Sequence, residues 1–202
     1  MNRMAYDAMT LGPHDIGLGL AVLRQRMAEA SFPVLSANAR VAATGELLAH
    51  PYVIRKFAAH RVAVVGLSEP FSTSEIQVED PEAALRHSLG ELSGKVDAVI
   101  VLSHVERVAN IRMANEVPGI TLIIEGGTGA RDTLWRSDST GAVVVHADEP
   151  MPGEAGRYLG RVTITFGTGN SDPDITWYRL VLDETIQENP EIQNWLMTGS
   201  LP

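Results

Sequence analysis

Short runs of β-branched and aliphatic residues alternate with amphipathic stretches along this chain, and that alternation predicts an α/β layered domain. Leu20, Leu23 and Met27 recur at the spacing of one helical face, so a helix is expected over 18–30. Phe32-Pro33-Val34-Leu35-Ser36-Ala37-Asn38 follows as a buried strand with turn residues after it. The runs 52–57 and 61–67 flank Ala58-Ala59-His60 and predict a hairpin. Asp80-Pro81-Glu82 has the chemistry of a helix start, with an acid to cap the first amides and proline at the first helical position, and the helix should reach Leu92.

Val96-Asp97-Ala98-Val99-Ile100-Val101-Leu102 reads as a continuous strand with Ser103-His104 at its carboxyl end. A helix over 105–115 leads through Pro118-Gly119 into a strand over 120–124. Such strand–helix–strand units place ligands in the loop after each strand. The last third is β-rich, with strands expected over 142–146, 160–166 and 175–182. A Pro/Gly/Glu loop at 148–156 and a polar turn at 167–174 separate them, and residues 190–197 predict a short closing helix. The chain thus divides into one domain over 1–190 and a tail or short helix over 191–202, without internal repeats.

Composition narrows the function classes. Of 202 residues, 45% are hydrophobic and 20% charged, the profile of a globular domain rather than a disordered chain. A net charge of −9 argues against nucleic acid as partner, because phosphate backbones need a basic face. There is no cysteine, hence no disulfide framework and no thiolate metal site. No apolar run reaches the roughly 18 residues of a membrane span, so no membrane contact is expected. The start, Met1-Asn2-Arg3-Met4-Ala5-Tyr6-Asp7, has no apolar h-region, so nothing here directs secretion.

Tyr6-Asp7-Ala8-Met9-Thr10-Leu11-Gly12-Pro13-His14-Asp15 resembles the YDAMTLGNHE segment of the 5'-nucleotidases, whose phosphoesterase half is a calcineurin-like metallophosphoesterase. Phe32 to Asn38 (FPVLSAN), Pro51-Tyr52-Val53-Ile54 and Val62 to Leu67 (VAVVGL) follow in that family's order. So do Val99 to His104 (VIVLSH), Val117-Pro118-Gly119-Ile120 and Tyr158-Leu159-Gly160-Arg161. The resemblance implies a two-layered β-sandwich flanked by helices, here lacking its first strands. It also implies two divalent metal ions (Mn, Zn, Fe or Mg), a nucleotide or other phosphate ester as substrate, and a periplasmic or extracellular home. Paired metals about 4 Å apart suit phosphoryl transfer because they position the nucleophile and neutralise charge.

Carried over position by position, the resemblance makes His14 a catalytic remnant, with Asp15 standing in for the acid that orients it. His104 becomes a remnant metal ligand. Pro13 falls where the family has a metal-bridging Asn, and proline has no side-chain donor or acceptor. Gly127 and Gly129 fall at the two histidines of the family's Gly-His-x-His. A lone imidazole does not hold a hard dication in catalytic geometry, so no tightly bound cofactor is expected. The family's earlier metal motifs would lie upstream of Met1.

The expected function is a phosphoesterase-like domain that has lost catalysis and serves in binding or structure. The alternative is part of an active enzyme completed by an upstream segment.

Other residues carry weaker signals. His146, with Asp148 and Glu149, reads as a solvated polar rim more readily than as a compensating metal site. Glu125-Gly126-Gly127-Thr128-Gly129 has the glycines of an anion nest but no Lys-Ser/Thr to close a phosphate loop. Arg131 and Asp132 beyond it pair with each other as easily as with a ligand. His50, His60 and His87 read as surface residues, and Trp135, Trp177 and Trp195 as packing residues. Finally, the resemblance sets an absent strand beside 62–67 and 96–102. One of those two runs should therefore show an open edge, favouring a homo-oligomer or a partner segment there.

Overall fold

The computed structural model describes residues 1–127, 134–146, 158–167 and 173–198. In chain order the elements are β1 (Met9–Thr10), α1 (Pro13–Gly17), α2 (Leu20–Glu29), β2 (Val34–Leu35), β3 (Ala39–Val41), β4 (Tyr52–Phe57), β5 (His60–Leu67) and β6 (Ile76–Val78). Then come α3 (Pro81–Leu92), β7 (Ala98–Ser103), α4 (Arg107–Glu116), β8 (Leu122–Glu125), β9 (Trp135–Arg136) and β10 (Val143–His146). The last are β11 (Tyr158–Thr165), β12 (Asp174–Val181) and α5 (Pro190–Thr198). The predicted loop at 148–156 and most of the turn at 167–174 lie outside the described residues.

Local chemistry explains several of these elements. Asp80 accepts the Ala83 amide at 2.7 Å, and Pro81 opens α3 where a missing amide costs nothing. The predicted hairpin forms as β4 and β5, joined through Ala58 at a φ of 52°. The closing helix forms as α5.

One mixed sheet organises the fold, in the order β4-β5-β7-β8-β10-β9. Its four interior strands run parallel, and β4 and β9 pair antiparallel at the two edges. Here the structure corrects an expectation. The runs 62–67 and 96–102 bond directly to each other as β5 and β7, with Val62 opposite Ala98 and Leu67 opposite Ser103. Both are interior, so neither has an open edge.

Helices α3 and α4 cover one face of this sheet, packing Leu85, Leu92, Met113 and Ala114 onto Val65, Val101, Ile123 and Val144. Trp135 packs against that core too. Smaller sheets stand on the opposite face. The parallel pair β1–β2 contacts β5, and β1 reaches β7 as well. The antiparallel hairpin β11–β12 sets Val162, Ile164, Ile175 and Trp177 against β8 and β10. Beyond β1–β2, Ile16 of α1 and Leu23 of α2 pack on Leu11 and Val34, joined by Ile76 from the small β3–β6 pair. This is the helix-flanked, layered α/β arrangement that the sequence pattern predicts. No helix among the described residues is long and apolar enough to cross a membrane.

Candidate functional site at the carboxyl ends of the parallel strands

Parallel strands leave their carboxyl ends on one rim, and β7 ends there at Ser103 with His104 next. The His104 amide bonds the Leu67 carbonyl at 3.0 Å, and the Gly126 amide bonds the Ser103 carbonyl at 2.7 Å. Three glycines wall the imidazole. A methyl group on Gly12 would come within 2.7 Å of His104 Nε2, and one on Gly126 within 3.3 Å. Gly127 sits at a φ of 80° with its face 3.4 Å from Nδ1. The sequence Leu11-Gly12-Pro13 thus lets the loop after β1 close over His104, which a side chain at Gly12 would prevent.

That same loop carries His14 and Asp15 into α1. His14 is exposed, while Asp15 turns back so that its Oδ2 accepts the Gly12 amide at 2.9 Å. The structure therefore brings the His14–Asp15 turn and His104 to one rim, through Gly12. Among the described residues, no three His, Cys, Asp or Glu side chains stand close enough to share a metal ion. Thr128, Gly129, Ala130, Arg131 and Asp132 lie outside the described residues, as do Asp148 and Glu149.

Beneath the rim, Ser103, Glu125 and His146 stand in register across β7, β8 and β10, and all are buried. Helix α4 supplies their partners. Asn110 donates to Glu125 Oε1 at 3.0 Å and to the Val105 carbonyl at 2.7 Å, and its own oxygen accepts the Ser103 hydroxyl at 2.8 Å. Arg107 Nη1 donates to Glu125 Oε2 at 2.5 Å. A carboxylate this buried is costly unless paired, and both of its oxygens are bonded here. His146 corrects the expectation of a solvated rim: it is 3% exposed, because β10 carries it beneath the rim beside Glu125. Its Nδ1 lies 3.2 Å from the Glu125 carbonyl, and its Nε2 has no partner among the described residues.

Sequence reasoning missed a second polar knot. Ser36 and Asn38, read as the end of a buried strand, are fully buried just beyond β2, where they bond to other elements instead of continuing the strand. Asn38 donates to the carbonyls of Ser68 at 2.8 Å and Glu79 at 3.0 Å and accepts the Ser68 amide at 2.9 Å. It thereby ties the ends of β2, β5 and β6 together. A Ser-x-Asn directly after an apolar strand was the available signal. His50 and His87 are exposed as expected, whereas His60 is half-buried, stacked on Phe166 with ring centroids 3.9 Å apart.

No protein-family profile matches the chain. The protein UshA of Salmonella pullorum is 26% identical over 242 residues, covering 95% of this chain and 44% of that protein. A 5'-nucleotidase of Vibrio cholerae is 27% identical over 237 residues, covering 100% of this chain and 42% of that protein. The chain thus spans less than half the length of these relatives. Among solved structures, a 5'-nucleotidase precursor from Thermus thermophilus superposes with a TM-score of 0.76 at 25% identity, covering 90% of this chain and 40% of the other. The calcineurin-like phosphoesterase YfkN from Bacillus subtilis superposes with a TM-score of 0.77 at 22% identity, covering 98% and 71%.

Proposed function

We propose that this chain is a 5'-nucleotidase-like domain of the calcineurin-like phosphoesterase kind that keeps the scaffold for a binding or structural role and no longer hydrolyses phosphate esters. The donor set around His104 carries this reading. Two-metal phosphoester hydrolysis needs two dications about 4 Å apart, each held by several carboxylate, imidazole or amide ligands. Around His104 stand Gly12, Gly126 and Gly127, and Pro13 offers no side-chain donor. The nearest buried carboxylate, Glu125, is committed to Arg107 and Asn110. These residues do not fit a two-metal centre, so no hydrolytic step is derived through one.

A second reading draws support from the enclosure of His104 itself. The loop bearing His14 still closes against it, as a domain of an active metal-dependent nucleotidase would require if an upstream segment supplied the missing ligands. The relatives' names make a nucleotide or another phosphate ester the class to test.

The test pairs elemental analysis after dialysis with turnover of AMP and p-nitrophenyl phosphate, with and without added Mn. The expected result is no stoichiometric metal, background turnover, and no change on His14→Ala. A rate that needs both Mn and His14 overturns the non-catalytic reading in favour of the second.

A further inference from the structure

Helix α3 lines a second cleft, which shares no residue with the His104 site. It holds about 580 Å³, a volume in the range of small-molecule pockets. Asp80, Ala83, Ala84, His87, Ser88 and Glu91 recur at helical spacing, so one face of α3 runs along the cleft from its cap to its last turn. Ala37, Leu47 and Pro51 complete the apolar part of the lining.

The chemistry of this cleft is one-sided. Its middle is alanine and proline, and a carboxylate stands at each end: Asp80 caps the start of α3, and Glu91 lies in its last turn. At 1.5 Å of rise per residue, the stretch from 80 to 91 sets these two groups about 16 Å apart. Near the first end, Glu79 already holds Arg40 at 2.6 Å. Among the described residues Asp80 accepts the Ala83 amide and meets no Lys or Arg, and Glu91 meets His87 at 3.7 Å. Burial, and then the Glu91 carboxylate, raise the Tyr52 hydroxyl above its ordinary pKa, so the charge of Glu91 is felt within the protein.

We propose that this cleft binds a linear aliphatic polyamine, with one terminal ammonium at Asp80, the other at Glu91, and the methylenes over Ala83 and Ala84. Charge complementarity selects a cation, and the apolar trough selects one whose charges are joined by methylenes, which cover apolar surface while their ends stay polar. A bare metal ion would serve one end and leave the alanines wet. A tetra-amine with three- and four-carbon spacers extends to about 16 Å at ordinary bond lengths, the separation of the two carboxylates. A four-carbon diamine reaches one end only. This inference goes beyond the reading of the His104 site and does not depend on it.

The probe is spermine, titrated calorimetrically into the full chain at about 0.15 M salt, where loose attraction between exposed charges is screened. One-to-one binding is expected, with 1,4-diaminobutane and Mg²⁺ weaker by about tenfold or more. Asp80→Asn keeps a helix cap and removes the charge, and should weaken spermine about tenfold, as should Glu91→Gln. Ala83→Leu fills the trough from an exposed position without altering charge. It should have the same effect, which covers a carboxamide variant that does not fold. Glu184→Gln removes an exposed charge outside the cleft and should change nothing.

The proposal is overturned if spermine does not bind, or if a folded cleft variant binds it like the parent. It is also overturned if 1,4-diaminobutane or Mg²⁺ binds as tightly. Equal weakening by Glu184→Gln and Glu91→Gln would overturn it too, since that is diffuse attraction to a chain of net charge −9. Binding of a tetralysine peptide with none of spermine would make a basic protein segment the occupant instead. The titration reads binding and not turnover, so its failure is separate from any failure of the non-catalytic reading.

Discussion

The two faces of the central sheet use the same strands and the same residue types, yet they are buried very differently. Val101, Ile123 and Val144 turn toward α3 and α4 and are completely covered. Their chain neighbours Ile100, Leu102 and Ile124 turn the other way and are half-buried. Burial here follows what lies across from a strand, not the strand's own hydrophobicity. On one side whole helices match the width of the sheet. On the other, β1–β2 and β11–β12 stand over the flanks, and Ile100, Leu102 and Ile124 between them stay half-buried.

The largest expected effect tests the covered face. Ile123→Ala should cost about 4 kcal/mol in urea unfolding, since a fully buried side chain is lost and a cavity remains. A cost near 1 kcal/mol would mean that the helix face is no better packed than the other. Next comes the ion pair at the rim of that face. Arg107→Met leaves Glu125 buried without its cation and should cost about 3 kcal/mol. Arg107→Met paired with Glu125→Leu should recover most of that loss, and a double variant as unstable as the single one would refute the pairing as its cause. The smallest effect lies on the open face. Ile100→Ala should cost about 1 kcal/mol, because the side chain is only half-buried where it packs beside Leu122 and Ile175. Equal costs at Ile100 and Ile123 would abolish the distinction between the faces.

Much of the fold was legible in the sequence. The helices α2, α3 and α4 and the strands β4, β5, β7, β8 and β10 to β12 each carry a periodic or continuous apolar signal long enough to read. The strands β1, β3, β6 and β9 are two or three residues long and carry no period at all, which is why they were missed. At the candidate site, His14, Asp15 and His104 stand out because motif order brings them forward, and the structure sets them on one rim. Glu125 was seen only as part of a glycine run. Its burial depends on Arg107 and Asn110, which arrive from a helix, 18 and 15 residues earlier in the chain. His146 was misread as a rim residue because its surroundings are set by β8 and α4.

By itself, the sequence determined the kind of layers, the capped start of α3, the glycines that let a loop close on an imidazole, and the proline where a donor would be needed. These depend on one residue and its near neighbours. The order of the strands depended on the tertiary structure. So did the direct pairing of β5 with β7. Apolar runs state that a strand is buried on both faces, but they do not state which strand lies beside it. That is decided by crossover connections and by which helices fit over which face, and those are properties of the assembled layers.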